Sequence, residues 1–508
     1  MCAKRGEELI SHVDQVYSGI APRPRLPPRR HPSRTGPRPA SRVPRQTGTR
    51  RCGGGAGKRS GERGGESRPD RLLARPVPPV SRDRWNPYGN RSRKGPMTTE
   101  QTFVIVGAGL AGAKAAESLR EEGFEGGITL IGAETELPYE RPPLSKGYLL
   151  GKEEKPKLYV HDEGWYAANS VEPLLGRRAT DLDRAAHHVE LDDGRRVRYD
   201  KLLLVPGSSP RRLDVPGADL EGVHHLRDLG DSERLREAIR GGDRRVVVVG
   251  AGWIGLETAA AAREYGCEVT VVEPRAVPLH AALGPELGAF FADVHRHHGV
   301  DVRLGREVTG LLGPGHVSAV ATHDGEEIPA DLVIVGIGVT PNTELAERAG
   351  LAVDNGILVD ESLRTDDPDV YAAGDVANAF NPLYGTRVRV EHWANALNGG
   401  AAAARSMLGQ KVVYDRPPYF FTDQYDVGME FSGWFAPGEY DSVVIRGDLE
   451  SRAFHAFWLA GGRVVAGMHV NQWDEGISAA QELIRSGATV APDRLADLSV
   501  PLSDLTKS

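Results

Sequence analysis

The feature that most constrains the fold is an internal repeat of a hydrophobic run leading into a glycine-rich turn. The two copies are TFVIVGAGLAG at residues 102–112 and RVVVVGAGWIG at residues 245–255. Each continues into an alanine-rich stretch that suits a helix and then into another hydrophobic run, ITLIG in the first copy and EVTVVE in the second. A strand, a helix and a second strand in this order form a βαβ unit, so the sequence predicts two such units.

The glycines of each copy fit a dinucleotide-binding turn. The first glycine permits the tight turn, the second lets the backbone approach a pyrophosphate, and the third allows helix and strand to pack closely. The phosphates then lie at the helix N-terminus, where free N–H groups favour anions. We therefore predict an α/β protein with two Rossmann-like dinucleotide-binding domains. The glycines are Gly107, Gly109 and Gly112 in the first copy and Gly250, Gly252 and Gly255 in the second.

The acidic residue that ends such a unit differs between the copies. Glu273 ends the second copy, 18 residues after Gly255, and is well placed to bind the adenosine ribose of NAD. A carboxylate there repels a 2′-phosphate and favours NADH over NADPH, although Arg275 could accept that phosphate. In the first copy the nearest acid is Glu134, either a ribose ligand or a solvated loop carboxylate.

Two further hydrophobic runs that end in glycine turns flank the second copy, at residues 199–213 and 331–345. They predict that one nucleotide-binding domain is inserted in the other, with the chain crossing at these runs. After about residue 410, alternating strands followed by a helix predict a small α+β domain.

A helix is predicted from about Pro285, and its last turn carries His295, His297 and His298. Cations suit a helix C-terminus, and neither a carboxylate nor a cysteine shares the spacing. We therefore favour a solvated helix face over a metal site.

Four more blocks carry a resemblance to a known family. DPDVYAAGDVAN at 367–378 resembles the motif by which flavoproteins with two dinucleotide domains hold FAD. PYERPPLSKGYLLG at 138–151 resembles the flavin-domain signature of the ferredoxin-reductase subgroup, and segments 389–400 and 418–426 are similar to two more of its blocks. The chain from residue 102 to about 500 thus resembles the FAD-dependent NAD(P)H ferredoxin reductases of the pyridine nucleotide-disulfide oxidoreductase superfamily.

The resemblance implies roles for individual residues. Lys146 is expected close to the isoalloxazine ring, where its charge would stabilise negative charge on the reduced flavin. Glu257 is expected to face the nicotinamide and to pair with Lys146. The remaining residues expected to contact the cofactors are Ala111, Arg141, Arg227, Gly374, Asp375 and Trp393 for FAD, and Gly338 for NAD.

Composition, the two crossing runs and the family motifs together predict a division of the chain. The expected parts are a disordered basic extension over 1–96, FAD-binding segments over 97–212 and 336–410, an NAD-binding domain over 213–335, and a C-terminal reductase or dimerisation-like domain over 411–508. Three departures from the family pattern are VPG at 205–207, Phe421 with Thr422 in place of a common Trp-Ser pair, and MEFSG at 429–433. The last two lie where the C-terminal domain would face the flavin, so they leave the electron acceptor open.

Disulfide reductases of the superfamily carry a redox cysteine pair shortly after the first glycine motif, whereas this chain has no cysteine between Met97 and Tyr265. Electrons therefore need an external acceptor. Cys267 is expected to be a buried small hydrophobic residue inside a strand. The implied activity is hydride transfer from NADH to FAD, followed by single-electron transfer to a [2Fe-2S]-type ferredoxin that serves a monooxygenase or dioxygenase.

Two alternatives remain open for the activity. One is an NADH oxidase or a reductase of quinones. The other is a flavoprotein with an interaction role, similar to apoptosis-inducing factor.

Charge divides the chain at Met97. Residues 1–96 contain 23 Lys or Arg against 7 Asp or Glu, a net charge of +16, whereas the other 412 residues carry −23. The basic segment is a translation start assigned too far upstream, an arm for nucleic acid, or an organellar transit peptide. We favour the first, because a complete fold begins within a few residues of Met97, and we expect no nucleic-acid partner.

The same charge bears on ferredoxin docking. Ferredoxins are typically acidic and should dock on a basic patch, for which Arg211, Arg212, Arg387 and Arg389 are candidates by sequence position.

No stretch reaches 18 uninterrupted apolar residues, and the N-terminus lacks the apolar core of a secretory signal. A single cysteine after Met97 fits a reducing compartment. We expect a soluble cytoplasmic protein, a monomer or a homodimer, without a membrane partner.

Overall fold

The structure is a computed structural model that describes residues 101–436 and 438–507, which belong to one compact unit beginning at Thr99. The extension predicted over 1–96 lies outside the described residues. In the part of the chain that is described, no helix combines the length and apolar character needed to cross a membrane.

The secondary structure follows in chain order. The elements before residue 215 are β1 (Thr102–Val106), α1 (Leu110–Glu121), β2 (Gly127–Gly132), α2 (Glu163–Ala168), β3 (Val171–Leu175), β4 (Ala179–Asp183), β5 (His188–Leu191), β6 (Arg196–Arg198), β7 (Lys201–Leu204) and β8 (Ser208–Pro210). Those up to residue 341 are β9 (Val223–His224), α3 (Leu229–Ile239), β10 (Arg245–Val249), α4 (Trp253–Glu264), β11 (Glu268–Glu273), α5 (His280–His297), β12 (Asp301–Leu304), β13 (Val308–Leu312), β14 (Ala319–Thr322), β15 (Glu327–Pro329), β16 (Leu332–Val335) and β17 (Val339–Pro341).

The second half of the chain continues this pattern and then changes to antiparallel strands. Its elements are α6 (Glu344–Arg348), β18 (Ile357–Val359), β19 (Val370–Ala372), β20 (Ala377–Asn381), β21 (Thr386–Arg389), α7 (Trp393–Met407), β22 (Tyr419–Gln424), β23 (Val427–Gly433), β24 (Ser442–Asp448), β25 (Ala453–Ala460), β26 (Arg463–Val470), α8 (Ser478–Ser486) and α9 (Pro492–Ala496). Short 3-10 helices cover Pro142–Ser145, Lys155–Leu158, Gly374–Val376 and Leu502–Lys507.

The first glycine motif lies in a parallel sheet with the strand order β19-β7-β1-β2-β3. Strand β1 is central, and its apolar residues are buried because the sheet is covered on both faces. Helix α7 packs against α1 so closely that a Cβ atom on Gly400 would lie 2.2 Å from the carbonyl oxygen of Ala111. Strand β19 joins this sheet from far along the chain.

The second glycine motif lies in a second parallel sheet with the order β12-β11-β10-β16-β9. Its strands fall between residues 223 and 335, whereas the first sheet takes strands from before and after that span. Strands β8 and β17, at the ends of the two predicted crossing runs, pair with each other in antiparallel register. The predicted insertion of one nucleotide-type domain in the other is therefore confirmed.

The C-terminal strands form an antiparallel sheet with the order β22-β23-β26-β25-β24, and α8 packs on it. One apolar cluster is shared between this sheet and the second nucleotide-type sheet: the Trp253 ring on α4 lies 5.6 Å from Phe291 on α5 and 4.9 Å from Phe420 on β22. The indole N–H of Trp458 also donates to the Leu283 carbonyl oxygen at 3.2 Å. The predicted α+β domain is thus packed firmly against α4 and α5.

Candidate functional site

Helix α1 begins at the first glycine motif with an uncapped N-terminus. Gly107 has φ +124°, and a Cβ atom there would lie 2.0 Å from the Val205 carbonyl oxygen. A Cβ on Gly112 would lie 2.1 Å from the Gly107 carbonyl oxygen, whereas one on Gly109 would meet nothing within 4 Å. No side chain caps the helix at Gly109. Gly107 and Gly112 therefore permit close packing of the backbone. Gly109 leaves open space in front of the free N–H groups of the helix.

Helix α4 repeats this arrangement at the second motif. Gly250 has φ +98°, with its hypothetical Cβ 2.6 Å from the Gly336 carbonyl oxygen, and a Cβ on Gly255 would lie 2.1 Å from the Gly250 oxygen. A Cβ on Gly252 would lie 3.8 Å from its nearest neighbour, and no side chain caps the helix. Gly338 follows β16 in a left-handed conformation, and its carbonyl oxygen accepts the Arg211 N–H at 2.9 Å.

Glu273 ends β11 beside this second turn. Its Oε2 accepts the backbone N–H of Ala251, between the first two motif glycines, at 2.8 Å, and its Oε1 accepts the N–H of Arg275 at 3.1 Å. These two bonds hold a carboxylate next to the uncapped end of α4. Arg275 itself is exposed.

The Gly374–Val376 turn lies against the starts of α1 and α7. A Cβ on Gly374 would lie 3.4 Å from the Ala111 Cβ and 3.9 Å from the Ala396 Cα. Helix α7 begins after His392 without a side-chain cap, and its first residue is Trp393. Two uncapped helix N-termini and a glycine turn thus converge, a donor arrangement that suits a pyrophosphate.

Four residues predicted to contact FAD are linked by hydrogen bonds and ion pairs beside this turn. Arg227 pairs with Asp375 at 3.0 Å, and the Arg227 carbonyl oxygen accepts from Arg141 Nη1 at 2.5 Å. Arg141 Nη2 reaches Glu134 Oε1 at 2.7 Å, and the Tyr139 hydroxyl donates to Glu134 Oε2 at 2.5 Å. Burial favours the neutral form of Glu134, but the Arg141 charge and the Tyr139 hydroxyl hold its pKa below the usual value.

Lys146 and Glu257 form a nearly buried ion pair. Lys146 Nζ lies 2.7 Å from Glu257 Oε2, and only 3% of the Glu257 side chain is exposed. Ser145 Oγ donates to the same carboxylate oxygen, and Thr422 Oγ1 donates to Oε1 at 2.6 Å. Lys146 Nζ also lies 5.6 Å from the centroid of the Phe421 ring, which in turn meets the Trp393 ring edge-on at 6.2 Å. The pair therefore joins the Pro142–Ser145 turn, helix α4 and strand β22.

The prediction that His295 lies on a solvated helix face is wrong. His295 is fully buried, with its Nε2 2.9 Å from Gln424 Oε1, and burial lowers its pKa to about 4. It follows Phe291 by four residues and so shares the helix face that packs on the C-terminal sheet. His297 is exposed and His298 is half-buried, and each directs Nδ1 to the carbonyl oxygen four residues earlier. Within the described residues, no group of three or more potential metal ligands lies together.

Sequence reasoning missed Ser145, Gln424 and the hydroxyl role of Thr422. Thr422 and Gln424 stand two residues apart on β22 and are each only 1% exposed. Alternate polar residues in a strand otherwise full of aromatics are a signal of a polar group buried on one face. No local feature of the sequence indicates that these two side chains form hydrogen bonds that lead to Glu257.

The arginines considered for docking are largely engaged by the backbone. Arg387 Nη1 donates to the carbonyl oxygens of Val359 and Asn378, and Arg389 pairs with Glu391 and reaches the Asp375 carbonyl oxygen at 3.3 Å. Arg211 Nε donates to the Val339 carbonyl oxygen. A basic docking patch made of these residues and Arg212 stays a prediction.

Cys267 is fully buried just before β11 rather than inside it, and burial raises the pKa of its thiol.

The chain is similar in sequence to known families and proteins. A family model described as pyridine nucleotide-disulphide oxidoreductase matches residues 101–400, and one described as reductase C-terminal matches residues 419–506. The ferredoxin–NAD(+) reductase component of the anthranilate 1,2-dioxygenase system of Burkholderia cepacia is 43% identical, over 79% of this chain and 98% of the relative. Putidaredoxin reductase of Pseudomonas putida is 40% identical, over 80% of this chain and 97% of the relative.

A solved structure is similar in fold as well as sequence. The putidaredoxin reductase chain of a covalent complex with putidaredoxin matches with a TM-score of 0.77 and 39% identity, over 80% of this chain and 98% of the solved one. These comparisons confirm the fold class and the resemblance drawn from the sequence motifs.

Proposed function

Because the chain belongs to the pyridine nucleotide-disulphide oxidoreductase family, we propose that it is an FAD-dependent reductase that takes a hydride from NADH and passes electrons to a small iron–sulfur ferredoxin. The ferredoxin would serve a monooxygenase or dioxygenase. The observation that carries the proposal is the buried Lys146–Glu257 pair, at the junction of the two nucleotide-type units and the C-terminal sheet. The relatives named for ferredoxin reduction support the choice of acceptor.

The residues around Gly374 fit FAD. The free N–H groups of α1 would bind the pyrophosphate, with Gly109 leaving room for its approach. Asp375, held by Arg227, would accept a hydrogen bond from a sugar hydroxyl, and Arg141 would supply positive charge nearby. When bound, FAD supplies the redox chemistry, since it accepts two electrons as a hydride and releases them one at a time.

The residues around Gly252 fit NADH. The free N–H groups of α4 would bind its pyrophosphate, and the Glu273 carboxylate would accept hydrogen bonds from the adenosine ribose hydroxyls. A fixed negative charge at this position disfavours the 2′-phosphate of NADPH.

Lys146 and Glu257 would act where the two cofactors meet. Lys146 would place its charge beside the isoalloxazine, where it stabilises negative charge that develops on reduction. Glu257 would face the nicotinamide and orient it, since its two oxygens are held by three donors. Precise orientation matters because hydride transfer requires near contact of the donor and acceptor carbons.

In this proposal the electron acceptor is a separate molecule and not a disulfide of this chain. Cys267 is the free cysteine of the described residues, and it is fully buried. It has no second cysteine after Met97 with which to form a redox disulfide. The electrons therefore need an acceptor outside the chain, and the relatives named for ferredoxin reduction favour a one-electron carrier over oxygen.

The proposal also divides the chain into the segments 97–212 and 336–410 for FAD, 213–335 for NAD and 411–508 for the C-terminal domain. It is supported by the first sheet, whose strands β7 and β19 come from both sides of the inserted unit. Its test is limited proteolysis with and without NAD⁺, in which early cuts at the crossing segments support these boundaries and early cuts inside the sheets contradict them.

A cytoplasmic location belongs to the same proposal, because a single cysteine after Met97 suits a reducing compartment. Fractionation of the native host with a periplasmic marker tests it.

Anaerobic titration of the purified protein tests the function. We expect bound FAD whose visible absorbance is bleached by NADH at low concentration and by NADPH only at higher concentration. Ferredoxin, a quinone and oxygen are then compared as oxidants. Protein without flavin, or flavin that NADH does not bleach, would contradict the proposal, and a quinone or oxygen faster than every ferredoxin would favour the alternative activity.

A further inference from the structure

Three buried polar side chains lie behind Glu257, and of these the function proposed above uses only Thr422, as a donor to the Glu257 carboxylate. Thr422 and Gln424 are on β22 and His295 is on α5, and they are 1%, 1% and 0% exposed. Burial of three polar side chains in an otherwise apolar interface is costly unless each is hydrogen-bonded.

These side chains form a continuous hydrogen-bonded chain that ends on the carboxylate. His295 Nε2 lies 2.9 Å from Gln424 Oε1, and Gln424 Nε2 lies 3.1 Å from Thr422 Oγ1. Thr422 Oγ1 lies 2.6 Å from Glu257 Oε1. This series of hydrogen bonds therefore connects helix α5, strand β22 and helix α4, which come from separate parts of the sequence.

The donor and acceptor properties of these groups determine the direction of each hydrogen bond between them. A carboxylate only accepts, so the Thr422 hydroxyl donates to Glu257, and its own oxygen accepts from the Gln424 amide group. The Gln424 carbonyl oxygen must then accept from His295, which carries its proton on Nε2. Burial keeps His295 neutral, since it lowers the pKa to about 4, and Nδ1 is left to accept from the Tyr425 hydroxyl at 3.4 Å.

Aromatic packing holds strand β22 in place around Thr422 and Gln424. Phe420, two residues before Thr422 and on the same face, lies 4.9 Å from the Trp253 ring, 4.8 Å from Phe431 and 4.4 Å from His392. Aromatic packing on several sides leaves little freedom for the strand to shift relative to α4.

We propose that Thr422, Gln424 and His295 form a positioning relay, through which the C-terminal domain fixes the orientation of the Glu257 carboxylate for hydride transfer. The relay rests on the proposed function, because it acts through Glu257. Lys146 and Ser145 both bond Oε2, so Thr422 is the donor that holds Oε1. Without it, Oε1 is buried without that partner and the carboxylate turns or admits water, which misplaces the nicotinamide.

Thr422→Val tests the relay, because valine keeps the shape and removes the donor. We expect the rate of flavin bleaching at saturating NADH to fall by about 10- to 100-fold, since small misplacements in hydride transfer are costly. The NAD⁺ dissociation constant, measured by calorimetry, should change by less than about threefold, because α4 and Glu273 still hold the rest of the nucleotide. The long-wavelength absorbance of the reduced protein with NAD⁺ should weaken, as it depends on ring stacking.

Two variants separate positioning from a general loss of structure. Thr422→Ser keeps the hydroxyl and should restore both the rate and the absorbance to within about threefold of the parent. Thr322→Val removes another buried hydroxyl, on β14, and should leave both unchanged.

A double-mutant cycle tests whether Gln424 acts through Thr422. Gln424→Leu should slow hydride transfer less than Thr422→Val does, and the double variant should be no slower than Thr422→Val alone. Additive losses would overturn the relay. If Thr422→Val does not fold, Gln424→Leu alone decides, and a rate and absorbance equal to the parent's would also overturn the relay.

Glu257→Gln separates failure of the relay from failure of the proposed function. If Glu257→Gln slows hydride transfer while Thr422→Val does not, the relay is wrong and the role of Glu257 stands. If neither variant changes the rate, the proposed role of Glu257 fails and the relay fails with it.

Discussion

Lys146 and Glu257 are 111 positions apart in the sequence, and their side chains meet at 2.7 Å in a site from which water is largely excluded. The cation follows the Pro142–Ser145 turn in the 97–212 segment, and the carboxylate comes from helix α4 of the inserted unit. The ion pair therefore forms only when the two units are packed together as in this structure. Its charges lie where we propose that the two cofactors meet.

Removal of one partner of this pair should cost both activity and stability. Lys146→Met leaves the Glu257 carboxylate buried without its cation, and we expect a loss of about 3 kcal/mol in the free energy of unfolding. The double variant Lys146→Met with Glu257→Gln should recover much of that stability but not the rate of flavin bleaching. Urea unfolding and stopped-flow reduction measure the two effects. Equal stability of the single and double variants would contradict the pairing.

The glycines of the first motif should separate folding from cofactor binding. Gly107→Ala places a Cβ atom 2.0 Å from a backbone oxygen at φ +124°, so it should destabilise the fold by about 3 kcal/mol or more. Gly109→Ala meets no protein atom within 4 Å and should fold normally, but it should retain FAD at least about tenfold less tightly, because the methyl group enters the space proposed for the pyrophosphate. Flavin release and urea unfolding distinguish them, and normal FAD affinity in Gly109→Ala would argue against the proposed FAD site.

The nucleotide preference should depend on the charge of Glu273. Glu273→Gln keeps an oxygen that can accept the Ala251 N–H and removes the negative charge. We expect the ratio of kcat/KM for NADPH to that for NADH to rise by about tenfold. Arg275→Ala in the same background should reverse part of this gain, since Arg275 is the nearby cation. An unchanged ratio in Glu273→Gln would show that the phosphate is not near this carboxylate.

Acid should destabilise the fold through two buried histidines. Burial lowers the pKa of His295 and of His455 to about 4, below the unfolded value of about 6.5. The unfolded chain thus binds more protons, so their contribution is complete above pH 6.5 and is lost as the pH falls toward 4. Each histidine should cost about 2 kcal/mol of unfolding free energy by pH 5.

His455→Gln tests this window. The difference in urea stability between pH 7.5 and pH 5 should shrink by about 2 kcal/mol in the variant. The same pH dependence in the parent and the variant would contradict a neutral buried His455.

The glycine repeat predicted the two βαβ units because local signals specify them: apolar strands, glycine-rich turns and Ala-rich helices. The two hydrophobic runs that flank the second copy predicted that one unit is inserted in the other. The family motifs led to the Lys146–Glu257 pair. His295 and Gln424 escaped prediction because their burial depends on the packing of the C-terminal sheet against α5, a contact between distant parts of the chain. Thr422 was recognised only as a departure from the family pattern, since no local feature indicates that β22 reaches α4.

The most direct test of the central claim is a double-mixing stopped-flow experiment. The protein is first reduced anaerobically with one equivalent of NADH and is then mixed with a [2Fe-2S] ferredoxin, a quinone or oxygenated buffer. The account predicts rapid bleaching of bound FAD in the first step and reoxidation by at least one ferredoxin, at a rate well above that with quinone or oxygen. Failure of NADH to bleach the flavin, or reoxidation that no ferredoxin accelerates, would contradict it.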